Sequence, residues 1–497
     1  MTRASVFRRR DQAYGNKDGV NGGATSRGND QEKRSQDGSP AANKQLPLYN
    51  QDGHQVNHAG HKVTPGIQPD GESGRKWFSP LHFFRICWTS SCTASRYTNV
   101  LWPFTIAAMV LHFGFREMEL WIFITAYIGM VPAANLVGFA GQELARKMPK
   151  VAGVMIETTF GSVVEIILFT VLIVKAKHQM EADPSAEPNT AVIRAAILGS
   201  ILANMLLCLG LCFFVGGIFH PQQVFHEAVS EVGSNLMLVA GMALVIPTIY
   251  YNTLLDRTGE PISAESLKIA RATAIVLLVA FCVYVWFQAR SHHGLYEDIL
   301  EADEERDHDR HKDLRKPKLT LTEAILALII ALTFVAFMAV FLVEKIEYMI
   351  ANHNLSDAFL GLILIPIVEK ASEHITAVDE AYDNQMNFAL SHVLGASIQT
   401  ALLNTPIVVL IGWGLHVPMS LDFEIFDAIV LILAIIVVGN FLRDEKSDYL
   451  EGALCVFVYI LIAICAFFYP NPQHGQGTSS ADSEAMTEGA ARMLKFI

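Results

Sequence analysis

Charge is what this chain has least of. Only 17% of its 497 residues are Asp, Glu, Lys or Arg, where soluble domains carry about 25%. Positive charge is the scarcer sign: 37 Lys and Arg face 49 Asp and Glu, a formal net charge of −12. That excludes nucleic acid as a partner, because such binding needs a basic footprint. Cysteine is sparse and odd in number, at seven. Cys208, Cys212, Cys282, Cys455 and Cys465 sit inside apolar runs and read as small packing residues, not as a disulfide framework or metal site. The chain has no His-Glu-x-x-His pair, no paired intramembrane aspartates and no serine–histidine arrangement. An intramembrane protease or zinc hydrolase therefore has nothing to work with, and neither an enzyme nor a cofactor is expected. The amino-terminal segment has no apolar h-region, so it does not read as a signal peptide.

What the chain has in abundance is apolar residues, 52% of the total, with a mean hydropathy of +0.32. They are clustered into runs, and a run of about 18 apolar residues can span the roughly 30 Å hydrocarbon layer. Spans are expected near 99–115, 119–141, 152–174, 191–217, 233–251, 267–288, 322–343, 357–383, 388–414, 424–442 and 449–469. The fold class is thus all-α, a polytopic membrane protein of about eleven transmembrane helices, whose outer surface faces membrane lipids.

The organisation expected is a disordered, polar, cytosolic tail over 1–95 and a first transmembrane helix over 96–118. A five-helix unit over 119–289, an acidic cytosolic linker over 290–319, a second five-helix unit over 320–470 and a polar tail over 471–497 follow. Gly, Asn, Gln, Ser, Asp and Lys dominate the first tail, too little apolar surface to offset ordering. Arg146, Lys147 and Lys150 follow the second span, and Arg443 and Lys446 follow the tenth. Positive residues in short loops stay cytosolic, which places the amino terminus in the cytosol. Lys175 and Lys177 run against that rule. Glu297, Asp298, Glu301, Asp303, Glu304, Glu305, Asp307 and Asp309 make the linker acidic. It reads as a solvated charged helix, or as a loop that collects cations.

The two five-helix units resemble each other. The third span carries Gly161-Ser162-Val163-Val164-Glu165, and the eighth carries Glu369-Lys370-Ala371-Ser372-Glu373-His374. Leu198-Gly199-Ser200-Ile201-Leu202-Ala203-Asn204 in the fourth is matched by Leu394-Gly395-Ala396-Ser397-Ile398-Gln399 in the ninth. An odd number of helices per unit inverts the second unit in the membrane. Inverted repeats with a site at their midplane junction are a recurring build of secondary transporters.

A charge at the bilayer centre costs roughly 2.5–3.5 kcal/mol or more, so Glu165 and Glu373, at matching places, mark a site. Two facing carboxylates suit calcium, which takes about six to eight oxygens. Thr158, Ser162, Ser200, Asn204, Ser397 and Gln399 offer further oxygens. The same carboxylates can carry protons instead, which links cation release to proton uptake. Gly161, Gly199 and Gly395 permit close helix approach or local unwinding, and Pro366 can break the eighth span.

These motifs resemble those of the cation/proton exchangers of the calcium/cation antiporter superfamily. Met155–Leu168 with Leu198–Asn204 is similar to the first signature. Phe359–Pro366, Glu373–Val378, Leu394–Gln399 and Gly412-Trp413 are similar to the second, and Pro418–Phe423 and Lys446–Gly452 continue the match. The resemblance implies eleven helices, one extra plus two inverted sets of five. It implies antiport of calcium or a related divalent cation against protons, in a vacuolar membrane whose proton gradient a separate pump supplies. Glu165 and Glu373 would be the ligands and proton carriers, and His374 a modulator of proton coupling.

The departures fall inside the signatures. Ser162 replaces an asparagine, Glu157 replaces another, Ala396 replaces a serine, and Glu369-Lys370 replaces a Gly-Asn pair. Lys370 precedes Glu373 by three residues, on nearly the same helix face. It can point away and pair with Glu369 or Glu157, leaving calcium transport with altered affinity. It can enter the site and favour another metal, a monovalent cation, an organic solute or proton-only states. Or the chain can be an inactive relative.

Overall fold

A backbone in hydrocarbon has no water to bond, so each crossing must close its hydrogen bonds internally as a helix. That is what the apolar runs form in the computed structural model, which describes residues 54–57, 61–75, 77–182, 190–258, 263–307, 316–353 and 355–470. In chain order the helices are α1 (Pro80–Thr89), α2 (Thr93–Thr98), α3 (Trp102–Gly114), α4 (Glu119–Ala145) and α5 (Lys150–Ala182). Then come α6 (Ala191–Leu202), α7 (Leu209–Phe219), α8 (Glu227–Thr258), α9 (Ser263–Trp286) and α10 (His293–Glu304). The second unit has α11 (Leu321–His353), α12 (Ile365–Glu369), α13 (Ala371–Tyr382), α14 (Met386–Gln399), α15 (Thr405–Leu415), α16 (Ile425–Phe441) and α17 (Tyr449–Phe467).

Among the described residues, nine helical stretches are long and apolar enough to cross a membrane. The other two expected spans coincide with α3 and with the α12–α13 segment, and both fall short for physical reasons. Helix α3 has 13 residues, about 20 Å of rise against a roughly 30 Å layer. The α12–α13 segment is interrupted and carries Glu369, Lys370, Glu373, Asp379 and Glu380.

The repeat reappears as a shared irregularity. Helix α6 passes into α7 through a π-helical stretch, Ala203–Cys208, and α14 passes into α15 through another, Thr400–Asn404. The first begins within its Gly-containing motif and the second directly after its own. Such insertions widen a helix and recur at functional sites. Strand pairing among the described residues is confined to an isolated antiparallel bridge between Val56 and Lys62 and a two-residue antiparallel ladder of β1 (Gln223–Val224) and β2 (Lys446–Ser447).

Two expectations need correction. The amino-terminal tail is ordered well before residue 95, although 1–53 lie outside the described residues. Arg75 pairs with Glu323 at 2.8 Å, and Glu323 is fully buried. The Lys147 ammonium donates to the carbonyls of Gly71 (2.7 Å) and Leu319 (2.8 Å). Burial lowers the Lys147 pKa. For Glu72, burial acts to raise the pKa, but backbone hydrogen bonds from Thr64 and Gly74 outweigh it and hold the carboxyl below its usual value. Polar residues that suggest disorder are here matched by buried partners from distant segments.

The acidic linker is likewise neither a free loop nor fully solvated, although its residues 308–315, like the 471–497 tail, lie outside the described residues. Helix α10 buries Tyr296, Ile299, Leu300 and Asp303. The Asp303 carboxylate accepts from the backbone of Asn387 (2.8 Å) and Phe388 (3.2 Å) and from the Asn387 amide (3.0 Å). It thus satisfies orphan donors at the start of α14. Glu304 pairs with Lys150 at 2.8 Å, tying α10 to α5 as well.

Candidate functional site

Four helical segments meet where the repeats join. Helix α5 brings Glu165, α6 and its π-stretch bring Ser200 and Asn204, and the π-stretch after α14 brings Thr400 and Asn404. The segment holding Glu369, Lys370, Glu373 and His374 is the irregular one. Pro366 has no N–H to donate, and the turn before it is π-helical, Leu360–Leu364. The Tyr127 hydroxyl donates to the Leu364 carbonyl at 2.9 Å. The break itself falls one turn beyond the proline, at Lys370 (φ −91°, ψ 0°), which ends α12 and begins α13. Glu373 therefore lies in the first turn of a helix, where the dipole favours a carboxylate.

Lys370 fills the centre. Its side chain is fully buried, and Nζ lies 2.9 Å from Glu165 Oε2 and 3.4 Å from Glu373 Oε2. Glu165 Oε2 also accepts from Thr400 Oγ1 and Asn404 Nδ2, both at 2.8 Å. Glu369 accepts from the Ser200 hydroxyl. The placement in which Lys370 points away toward Glu369 or Glu157 is therefore overturned: the two site glutamates attract it inward. Glu157 instead meets His392, whose Nε2 is 3.4 Å away and whose Nδ1 lies 2.7 Å from Glu380 Oε2.

Apart from the ion pairs to Lys370, Glu165 Oε1, Glu369 Oε2, both Glu373 oxygens and Asn404 Oδ1 are buried with no hydrogen-bond partner among the described residues, as are two nitrogens beside them, Lys370 Nζ and Asn204 Nδ2. Buried oxygens without donors suit a cation. Yet among the described residues no group of three or more His, Cys, Asp or Glu is arranged to hold a metal ion. The ammonium stands where Glu165 and Glu373 converge.

The other expected site residues divide. Ser200 joins the centre through Glu369, and Asn204 Oδ1 lies 3.2 Å from His374 Nε2. Ser162 donates to Gln399 (2.9 Å), which donates to Thr158 (2.7 Å), a chain of bonds joining α5 to α14 with no bond to either glutamate. A cavity of about 280 Å³ opens beside it, lined in part by Thr158, Tyr284, Gln288, Ser391 and Gln399. Ser397 donates to the Val393 carbonyl of its own helix (2.8 Å) and is not brought to the carboxylates. Gly199 faces the Leu362 carbonyl so closely that it has no room for a Cβ, whereas a Cβ on Gly161 would displace the carboxyl end of Glu373. A Cβ on Gly395 would meet only Thr158 Cγ2, at 3.7 Å, so close packing does not require that glycine.

Thr400, Asn404 and His392 were missed in the sequence. Their signal was faint but present, since each is a polar residue inside an otherwise apolar span.

Known proteins share this architecture. The sodium/calcium exchanger protein family matches residues 118–290 and 323–468. The vacuolar cation/proton exchanger 2 of Oryza sativa subsp. japonica is 30% identical over 402 residues, covering 80% of this chain and 87% of its own. A vacuolar calcium ion transporter of Schizosaccharomyces pombe is 27% identical over 383 residues, with 77% and 87% covered. The structure of native YfkE superposes with a TM-score of 0.59 at 22% identity, covering 78% of this chain and 99% of that one.

Proposed function

The chain belongs to the sodium/calcium exchanger protein family, and we propose that it exchanges calcium or a related divalent cation for protons across an intracellular membrane. The observation that carries this reading is the meeting of Glu165 and Glu373, from matching places in the two repeats, around a buried positive charge. A divalent substrate would bridge the two carboxylates, and Asn404 Oδ1 is a further buried oxygen without a donor. Protons would take the carboxylates when it leaves. Thr400 and Asn404 hold Glu165 in place from the opposite repeat, so movement of one repeat against the other changes the site's geometry. His374, bonded to Asn204, couples α13 to the π-stretch after α6 and would modulate that step.

The relatives' names support a vacuolar membrane, with a separate proton pump maintaining the gradient. In this reading α3 and the α12–α13 segment also cross, giving eleven crossings with the amino terminus in the cytosol.

A second reading has its own observation. Lys370 stands between the two carboxylates, and on this reading the scaffold serves another metal, a monovalent cation or an organic solute, or is inactive. One experiment separates the readings: purified protein in sealed vesicles with an acidic interior, assayed for calcium uptake. Calcium entering as protons leave, abolished by Glu165→Gln and by Glu373→Gln, is the expected result. Full activity in either variant would sink the mechanism. Flux of a different solute without divalent-dependent proton movement favours the second reading.

A further inference from the structure

We propose that Lys370 is a tethered counter-cation that lets the unloaded carrier return, so that this protein carries net divalent flux alongside exchange. The inference rests on the exchanger reading above. Obligatory exchange has a physical cause: two buried carboxylates with no compensating charge are costly inside the membrane. A carrier in that state does not change sides, and only a site holding a cation or protons does. Here part of the compensation is covalent. The ammonium pairs with Glu165 at 2.9 Å and Glu373 at 3.4 Å, fully buried, and cannot diffuse away. Both carboxylates thus keep a positive partner with nothing bound from solution, and the net negative charge that remains on the site makes the return step sensitive to the potential.

The structure also gives the ammonium somewhere to go. Glu369 is its immediate neighbour, is 2% exposed, and has one oxygen on Ser200 and one with no partner. A divalent cation arriving at Glu165 and Glu373 displaces Nζ toward Glu369, and its departure lets Nζ return. Lys370 lies at the junction of α12 and α13 in bridge-region backbone, not in the middle of an unbroken helix. The charged groups around it are Glu165 from α5, Glu369 from α12, and Glu373 with the neighbouring His374 from α13. From α6, the π-stretch that follows it and the π-stretch after α14 come only the uncharged Ser200, Asn204, Thr400 and Asn404.

A turnover that carries a divalent cation one way and returns with Lys370 in place moves charge and consumes no protons. The test uses the full chain in vesicles loaded with calcium and a pH dye, with equal pH on both sides and the potential clamped by potassium and valinomycin. The wild type is expected to release calcium partly without internal acidification, at a rate set by the potential. In Lys370→Gln, each released calcium should bring protons in, and the flux should fall about tenfold per pH unit for each coupled proton as pH rises. Lys370→Arg, which keeps a cation, should retain the proton-free component and guards against a folding defect in the glutamine variant. Calcium/proton exchange in the wild type with no proton-free component overturns the inference and leaves the exchanger reading standing. So does a proton-free component that survives in Lys370→Gln. No calcium movement under any gradient overturns the exchanger reading itself.

Discussion

Glu165→Gln should cost this protein stability as well as transport. The substitution leaves a fully buried ammonium whose remaining paired carboxylate is the more distant one, Glu373 at 3.4 Å instead of Glu165 at 2.9 Å. Removing one partner of a buried ion pair costs about 3–5 kcal/mol where the other charge is left uncompensated, and that is the ceiling here because Glu373 still pairs with the ammonium and Glu369 lies beside it. The glutamine oxygen can still accept from Thr400 and Asn404, so lost hydrogen bonds add little. For a described unit of roughly 400 residues, an unfolding entropy of about 2.1 cal/mol/K per residue converts the penalty to about 4–6 °C. Lys370→Met and Glu373→Gln added together to Glu165→Gln should restore most of it, because they remove the ammonium with both carboxylates it pairs with, and replacing a whole buried ion cluster is often neutral or stabilising by about 1–4 kcal/mol. The assay is thermal melting in detergent at one fixed scan rate, which keeps the ranking meaningful where unfolding is irreversible. A single mutant melting with the wild type, or a triple mutant no better than the single, would refute the reasoning.

The glycine pair gives a second test. Gly161→Ala puts a Cβ where the carboxyl end of Glu373 lies and moves that flexible end away, so it should abolish calcium uptake in vesicles, whereas Gly395→Ala should keep uptake near wild type because its Cβ has room. Asp303→Ala removes the acceptor for two backbone N–H groups and an amide at the start of α14. It should cost about 0.5–2 kcal/mol, read as faster hydrogen exchange at Asn387 and Phe388. His392→Gln leaves Glu157 and Glu380 facing each other without an imidazole between them. It should lower the melting temperature, and adding Glu157→Asn should recover part of the loss by removing one of the two like charges.

The helices and the site were legible to different depths. Each apolar run of the sequence lies on a helix because hydrocarbon forbids unpaired backbone, and that requirement ignores the details of packing. Glu165 and Glu373 were legible because an intramembrane carboxylate is expensive enough to need a reason. The direction of Lys370 was not. From its backbone position a long flexible side chain can reach several carboxylates, and the choice depends on three-dimensional distances to α5. The π-stretches were hidden too, since they leave no mark on hydropathy. With them went Thr400 and Asn404, which reach Glu165 from the second stretch. Ser397 misled because a hydroxyl in a helix can bond its own backbone four residues back. The early ordering of the amino-terminal segment was hidden because Arg75, Lys147 and Glu323 are polar in sequence and matched only in space.

The departures from the exchanger signature make most sense taken together. A lysine alone, set between Glu165 and Glu373, would cut the formal charge of the site from that of two carboxylates to that of one. A glutamate alone beside it would add a third buried carboxylate with nothing to compensate it. Glu369 and Lys370 enter side by side, and three carboxylates with one ammonium carry the same formal charge as the two carboxylates they modify. The site therefore still matches a divalent cation in total charge, provided the ammonium can rest on Glu369 while the substrate occupies Glu165 and Glu373. Glu157, the other acid that departs from the signature, also lies against a base, His392 at 3.4 Å. Loss of function has no reason to preserve such a balance. A transporter that keeps its substrate charge while gaining an internal competitor does, because the competitor changes how the carrier returns and leaves the total charge of what it can carry unchanged.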